Sequence, residues 1–217
     1  MVRKGIHYVI RLLLKLLTRV QAVGLDNIPA EGGCILVSNH LGIIDPVLVF
    51  SLLEREDATS LVAKKYQRNP FTRWLINAVD GIWLNRQEAD ARALRNAVNY
   101  LRSGGLLGIS PEGTRSPSKA LIPAKTGVAY LADKARVPLL PTGITGTERA
   151  FSTLARLQRP NLRVHFGSLF ELPPLDRTTR DADLQRNTDE IMCRIAALLP
   201  PEYRGVYADH PRLRQYL

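Results

Sequence analysis

Cysteine is scarce. Cys34 and Cys193 stand far apart, and neither has a cysteine or histidine at metal-ligand spacing. That excludes a disulfide scaffold and leaves no zinc pattern. Aromatic residues are only 6% of the chain, and no zinc finger, RNA-binding aromatic signature or Lys/Arg-dense stretch occurs. A nucleic-acid-binding domain therefore fits poorly. After Val23 there is no Gly/Ser linker, low-complexity tract or repeat, and 217 residues suit one sizeable domain. Acidic residues are in deficit too: 20 Asp+Glu face 30 Lys+Arg, 23 of them arginine, for a net charge of +10. Such a surplus calls for an anionic partner, whether nucleic acid, a membrane surface or a phosphorylated substrate.

No long hydrophobic run opens the chain. Within residues 1–21 the longest unbroken apolar run is Leu12–Leu14, because Arg11, Lys15 and Arg19 interrupt the rest. A spanning helix needs about 20 mostly apolar residues, and a cleavable signal needs an uncharged apolar centre, so neither is expected. Helical spacing instead puts Lys4, Arg11, Lys15 and Arg19 on one side. Ile6, Val9, Ile10, Leu13, Leu16, Leu17 and Val20 fall opposite. That pattern predicts an amphipathic helix over residues 1–22, lying on an anionic membrane or else docked on the protein's own core with its basic residues facing water, ahead of one domain over 23–217.

Beyond the N-terminal segment, short aliphatic runs read as strands: Cys34–Ser38, Ser60–Ala63, Ile82–Asn85, Leu106–Ser110, Leu139–Thr145 and Leu162–Gly167. Helices are predicted between them. Pro46–Leu53 opens with Asp45 as its cap. Glu88–Ser103 carries Ala91, Leu94, Val98 and Leu101 on one face and stops at Gly104-Gly105. Ala124–Ala135 and Asp183–Leu199 complete the set. Asn69–Ile76, with Phe71, Arg73, Trp74 and Leu75, is expected to be a core helix or a second membrane contact. Alternating strands and helices predict an α/β fold with a mostly parallel or mixed central sheet flanked by helices.

Four of these strands run straight into reactive or cationic residues: Asn39-His40, Lys64-Lys65, Arg86, and Pro111-Glu112-Gly113-Thr114-Arg115. In open α/β sheets ligands bind beyond the carboxyl ends of the strands, so neighbouring parallel strands would gather these residues at one rim. His40 and Asp45 are five apart, about 140° apart on a regular helix. They meet only if residues 41–44 turn, which Gly42 makes easy. Asp45 could then hold one imidazole nitrogen and leave the other as a general base. Ser110 makes a poor nucleophile, since the next residue, Pro111, has no N–H to donate to an oxyanion. Cys34 sits inside an aliphatic strand. The hydroxyl to be activated is therefore sought on a substrate. Arg115, Arg86, Lys64, Thr114 and Gly113 suit an anionic group, while Glu112 is expected to orient Arg115 or bond a substrate hydroxyl.

Four blocks, in order, resemble the PlsC-type glycerolipid acyltransferases, which include 1-acyl-glycerol-3-phosphate acyltransferases. They are Asn39-His40-x4-Asp45-Pro46, Gly81-Ile82-Trp83-Leu84-Asn85-Arg86, Pro111-Glu112-Gly113-Thr114-Arg115-Ser116 and Val137-Pro138-Leu139-Leu140-Pro141, with Lys125-Thr126-Gly127 between the last two. The resemblance runs from about Gly24 to Gly167. It implies transfer of an acyl group from acyl-coenzyme A or acyl carrier protein to a lysophospholipid hydroxyl, with His40 as base and Asp45 as its support. It places Arg86, Glu112, Gly113, Thr114 and Arg115 on the acceptor's phosphate and glycerol, and Pro138 near the acyl or thioester site. No metal or resident cofactor and no nucleic acid is implied, and a peripheral place on the cytoplasmic face of the cell membrane is. Glycerol 3-phosphate or another lysolipid is an alternative acceptor, and a non-catalytic lipid-binding relative an alternative role. Gly42, Leu41 and Ser110 depart from the family pattern, where serine, a polar residue and phenylalanine are common.

Overall fold

The structure is a computed structural model; it describes residues 2–78, 80–85 and 90–217, without the side chains of residues 2–4, 71 and 75. Seven strands form one sheet: β1 (Arg19–Val23), β2 (Cys34–Ser38), β3 (Ala58–Ala63), β4 (Ile82–Leu84), β5 (Leu106–Ile109), β6 (Leu139–Thr145) and β7 (Asn161–Phe166). Their order is β1-β7-β6-β2-β5-β3-β4, and only the β6–β7 pair is antiparallel. The expected mixed sheet is therefore present. Cys34, Ile35, Leu36 and Val37 are all buried, as befits a central parallel strand covered on both faces.

Helices cover the two faces: α1 (Val2–Leu17), α2 (Asp45–Leu52), α3 (Pro70–Ala78), α4 (Ala91–Arg102), α5 (Gly127–Ala135), α6 (Ala150–Leu154) and α7 (Arg180–Ala197). One core layer joins α4, α5 and α7 to the sheet through Ala97, Leu101, Leu131, Ile191 and Ile195. The other gathers Leu48, Val49, Leu53, Leu140 and Phe166 beside α2. The buried stripe of α4 is Ala93, Ala97 and Leu101, with Leu94 and Val98 half-buried and Ala91 exposed, a small rotation from the predicted face. Asp90 caps this helix by accepting from Ala93 N at 3.0 Å. Glu88, its predicted start, lies outside the described residues.

The N-terminal expectation needs correction. The helix stops at Leu17, and Arg19–Val23 is an edge strand paired with β7, so the helix does not extend to residue 22. Thr18 folds its hydroxyl onto Leu14 O at 2.6 Å, and the Arg159 guanidinium takes Lys15 O and Thr18 O at 2.6 and 2.5 Å, satisfying the last carbonyls. Arg11 does not sit in a free cationic stripe. Its guanidinium donates to Ser51 O at 2.6 Å and Leu53 O at 3.1 Å, capping α2, and His7 Nε2 lies 2.7 Å from Phe50 O. Ile6 and Ile10 line a cleft against α2, and Leu14 packs on the core. Tyr8, Val9, Leu12, Leu13, Leu16 and Leu17 are exposed instead. Among the described residues no helix is long and apolar enough to cross a membrane.

Candidate active site

Strands β2, β5, β3 and β4 are consecutive neighbours and all parallel, so their carboxyl ends share one rim. At the end of β2, Asn39 is buried and its side-chain amide exchanges two 2.8 Å bonds with the backbone of Ile144. That ties the loop after β2 to β6. The next residue, His40, is half-buried. Its Nδ1 lies 2.7 Å from Asp45 Oδ2. The turn that closes this pair is held by the same oxygen, which accepts from Leu41 N at 2.6 Å and Gly42 N at 2.8 Å.

Asp45 is not the cap of α2: Ile44 holds that position, and Asp45 is the first helical residue, ahead of Pro46. Its carboxylate thus bonds the loop behind it rather than the helix ahead. It is 2% exposed, in the first turn of α2. Its Oδ1 is sealed from solvent and accepts no hydrogen bond from the described residues. With Nδ1–H donated to Asp45, the Nε2 lone pair of His40 is left free to take a proton. Gly42 is required by the packing: a Cβ there would lie 2.8 Å from Thr147 O, so the loop has no room for a serine.

Glu112 differs most from expectation. It is 2% exposed and touches neither Arg115 nor open space. Its Oε1 accepts from His40 N at 2.9 Å and its Oε2 from Ile122 N at 3.1 Å. Burial pushes its carboxyl up to about 7, despite both N–H bonds pulling the other way. Ser116 N donates to His40 O at 2.8 Å, so the 110–116 loop grips both backbone groups of the histidine. Glu112 is therefore a positioning residue. Sequence reasoning missed this because no local spacing reports a contact between residues so far apart in the chain.

The cationic side of the rim is looser. Thr114 and Arg115 are exposed beside Ser116, and Gly113 turns with φ of 69°. Lys64, at the end of β3, pairs with Asp90 at 3.5 Å and is half exposed. Arg86 lies outside the described residues. Lys125, which the sequence pattern marks without assigning it to the site, lies across Gly113. Its stem would be 3.4 Å from a Cβ there, and it lines a cleft with Ser110, Asn85, Leu61 and Leu84. Pro138 is not at the rim. It immediately precedes β6, with its carbonyl bonded to Ile35 N at 3.0 Å, and since β6 runs parallel to β2 it sits at the opposite end of the sheet from His40. Cys34 is fully buried, and burial pushes its thiol up to about 12, which removes it as a nucleophile. Among the described residues no cluster of His, Cys, Asp or Glu is placed to hold a metal.

A family model described as Acyltransferase matches residues 19–145, the span that holds His40, Asp45, Lys64, Glu112 and Arg115. The chain belongs to the acyltransferase family. Among curated relatives, it is 21% identical over 137 residues to a 1-acyl-sn-glycerol-3-phosphate acyltransferase of Bacillus subtilis, covering 63% of this chain and 68% of that one. It is 28% identical over 135 residues to the protein of that name from Borreliella burgdorferi, covering 61% and 54%. A chloroplastic relative from Brassica napus matches at 28% over 60% of this chain but only 38% of its own. The crystal structure of an LPA acyltransferase, PlsC, from Thermotoga maritima superposes with a TM-score of 0.66 at 23% identity, covering 87% of this acyltransferase and 79% of that chain. This likeness shows a shared fold.

Proposed function

We propose that this acyltransferase moves a fatty acyl group from a thioester, acyl-coenzyme A or acyl carrier protein, onto the free hydroxyl of 1-acyl-glycerol-3-phosphate, giving phosphatidic acid. The observation that carries the reading is the 2.7 Å His40–Asp45 pair on a rim shared with Arg115 and Lys64. The names of the curated relatives support the acceptor.

The reaction is a direct transfer. His40 Nε2 takes the proton of the acceptor hydroxyl while Asp45 holds the ring and stabilises the imidazolium that forms. The alkoxide oxygen attacks the thioester carbonyl, and the C–S bond breaks. The leaving thiolate recovers the proton from His40. No acyl-enzyme forms, since Ser110 precedes Pro111 and Cys34 is sealed. Arg115, Lys64 and Lys125 receive the acceptor phosphate, with arginine supplying a planar fork and lysine a point charge. The chemistry so described requires no metal or resident cofactor.

An acyl chain has a site on the other face of the sheet. Ile6, Ile10, Pro46, Val47, Phe50 and Ile76 line a mainly apolar cleft of about 840 Å³, open in part to solvent. It runs along α2 from Pro46, beside Asp45, toward Arg55. Val9, Leu12, Leu13 and Leu16 of α1 and Trp74 of α3 are exposed, and the net charge of +10 suits an anionic leaflet. The enzyme thus works as a peripheral protein at a membrane surface. Incubation of the pure protein with labelled palmitoyl-coenzyme A and a panel of lysolipids tests the reading: lysophosphatidate is converted to a diacyl product fastest, and preference for a neutral lysolipid would reject the acceptor.

A further inference from the structure

The segment after α7 lies beyond the family-matched residues, yet it packs onto the 121–124 loop, whose Ile122 holds Glu112, and onto Glu148, next to the Thr147 carbonyl beside Gly42. It consists of three short 3-10 turns, Pro201–Tyr203, Gly205–Tyr207 and Pro211–Gln215. On one side it pairs with the loop around Leu121. Leu121 N donates to Tyr203 O at 2.9 Å, and Val206 N donates to Leu121 O at 3.2 Å. Gly205 allows the approach, with φ of 49° and a Cβ position only 2.0 Å from Leu121 O. Three residues further on, Ala124 N donates to the hydroxyl of Tyr207 at 3.2 Å. Ile122, between these anchors, is the residue whose N–H holds Glu112 and through it His40.

On the other side, Tyr203 Oη donates to Glu148 Oε1 at 2.9 Å. Glu148 follows Thr147, whose carbonyl is the wall against Gly42. The catalytic turn is therefore clasped between two loops, and Tyr203 reaches both, with its carbonyl and with its hydroxyl. The segment is itself fastened to α7. Glu190 accepts from Arg194, Arg212 and Tyr216 at 2.6, 3.0 and 2.5 Å, and the Cys193 thiol meets His210 Nδ1 at 3.3 Å. Leu213 is fully buried beneath it.

We infer that residues 200–217 are a brace for the catalytic turn, with Tyr203 and Tyr207 as positioning residues that act on His40 through the 121–124 and 147–148 loops. This deepens the proposed acyl transfer and rests on it for its kinetic readout. A displacement on the order of 1 Å at reacting atoms costs up to about 100-fold in rate, so loosening one clasp is expected to lower kcat about tenfold.

The test compares Tyr203→Phe and Tyr207→Phe with Leu101→Ala, a core change at the end of α4 beside Gly33, at the opposite end of the sheet from His40. In the tyrosine variants kcat falls about tenfold while both KM values hold, and amide exchange at residues 39–42 quickens. Leu101→Ala lowers the melting temperature and leaves kcat and that exchange unchanged at assay temperature. Unchanged exchange at 39–42 in both tyrosine variants overturns the brace, whatever reaction the enzyme proves to catalyse. A kcat loss matched by Leu101→Ala overturns it as well. Absence of acyl transfer by the unaltered protein, with exchange still responding, rejects the proposed reaction and leaves the brace standing.

Discussion

The two ends of the rim are built differently. At the His40 end, nearly every group is fixed more than once. His40 is held by its ring, its N–H and its C=O, and Asp45 Oδ2 gathers the ring and two backbone N–H groups. At the anion end, Arg115 and Thr114 stand exposed on a loop, and Lys64 leans on Asp90 with half its side chain in solvent. The contrast teaches where rigidity is useful. A base must meet its proton within a few tenths of an ångström, whereas flexible cations can close around a phosphate as it arrives.

The comparison can be broken at its rigid end first. Asp45→Asn keeps the size of the side chain and removes the charge that supports the imidazolium. Steady-state kinetics with lysophosphatidate are expected to show kcat down by about 10²–10⁴-fold with little change in KM. At the loose end the split reverses. Arg115→Ala is expected to raise KM for the phosphorylated acceptor about tenfold or more and to leave KM for the thioester unaltered. Equal effects on both substrates would remove Arg115 from the phosphate. The membrane face offers a still milder change. Leu12→Glu and Leu16→Glu should each weaken partition onto anionic vesicles about tenfold in a sedimentation assay, without altering the circular dichroism.

The smallest effect is a pH dependence. Glu112 in the folded protein titrates at about 7, above its ordinary value of 4.5, because burial penalises the charge. Between those two values the folded state holds more protons at this site than the unfolded chain. Its contribution to stability therefore falls as pH rises from 4.5 to about 7, and is level outside that window. Thermal melts of wild type and Glu112→Gln should diverge in that direction only within it.

The sequence was informative where the signal was local. Short aliphatic runs marked six of the seven strands, and β6 and β2 match the predicted bounds to the residue. The first strand escaped notice because Arg19 and Gln21 alternate with Val20 and Ala22 directly after a helical pattern, so one solvated edge strand reads as more helix. The His40–Asp45 pair was readable because both partners and their turn lie within six residues. The partners of Glu112 were not legible, since they are backbone groups that the chain brings in from Ile122 and His40. Pro138 shared a motif with the site but belongs to the amino end of its strand, which only the parallel register with β2 reveals. The tail around Tyr203 and Tyr207 left no mark, because tyrosine hydroxyls and carbonyls meeting a distant loop follow no periodicity.

One measurement bears most directly on the base. Wild type and His40→Ala are incubated side by side with a labelled acyl thioester and 1-acyl-glycerol-3-phosphate, and the diacyl product is counted over time. The account predicts steady formation of phosphatidic acid by the wild type and at least about 100-fold less by the variant at an unchanged melting temperature. Equal product from both would contradict it.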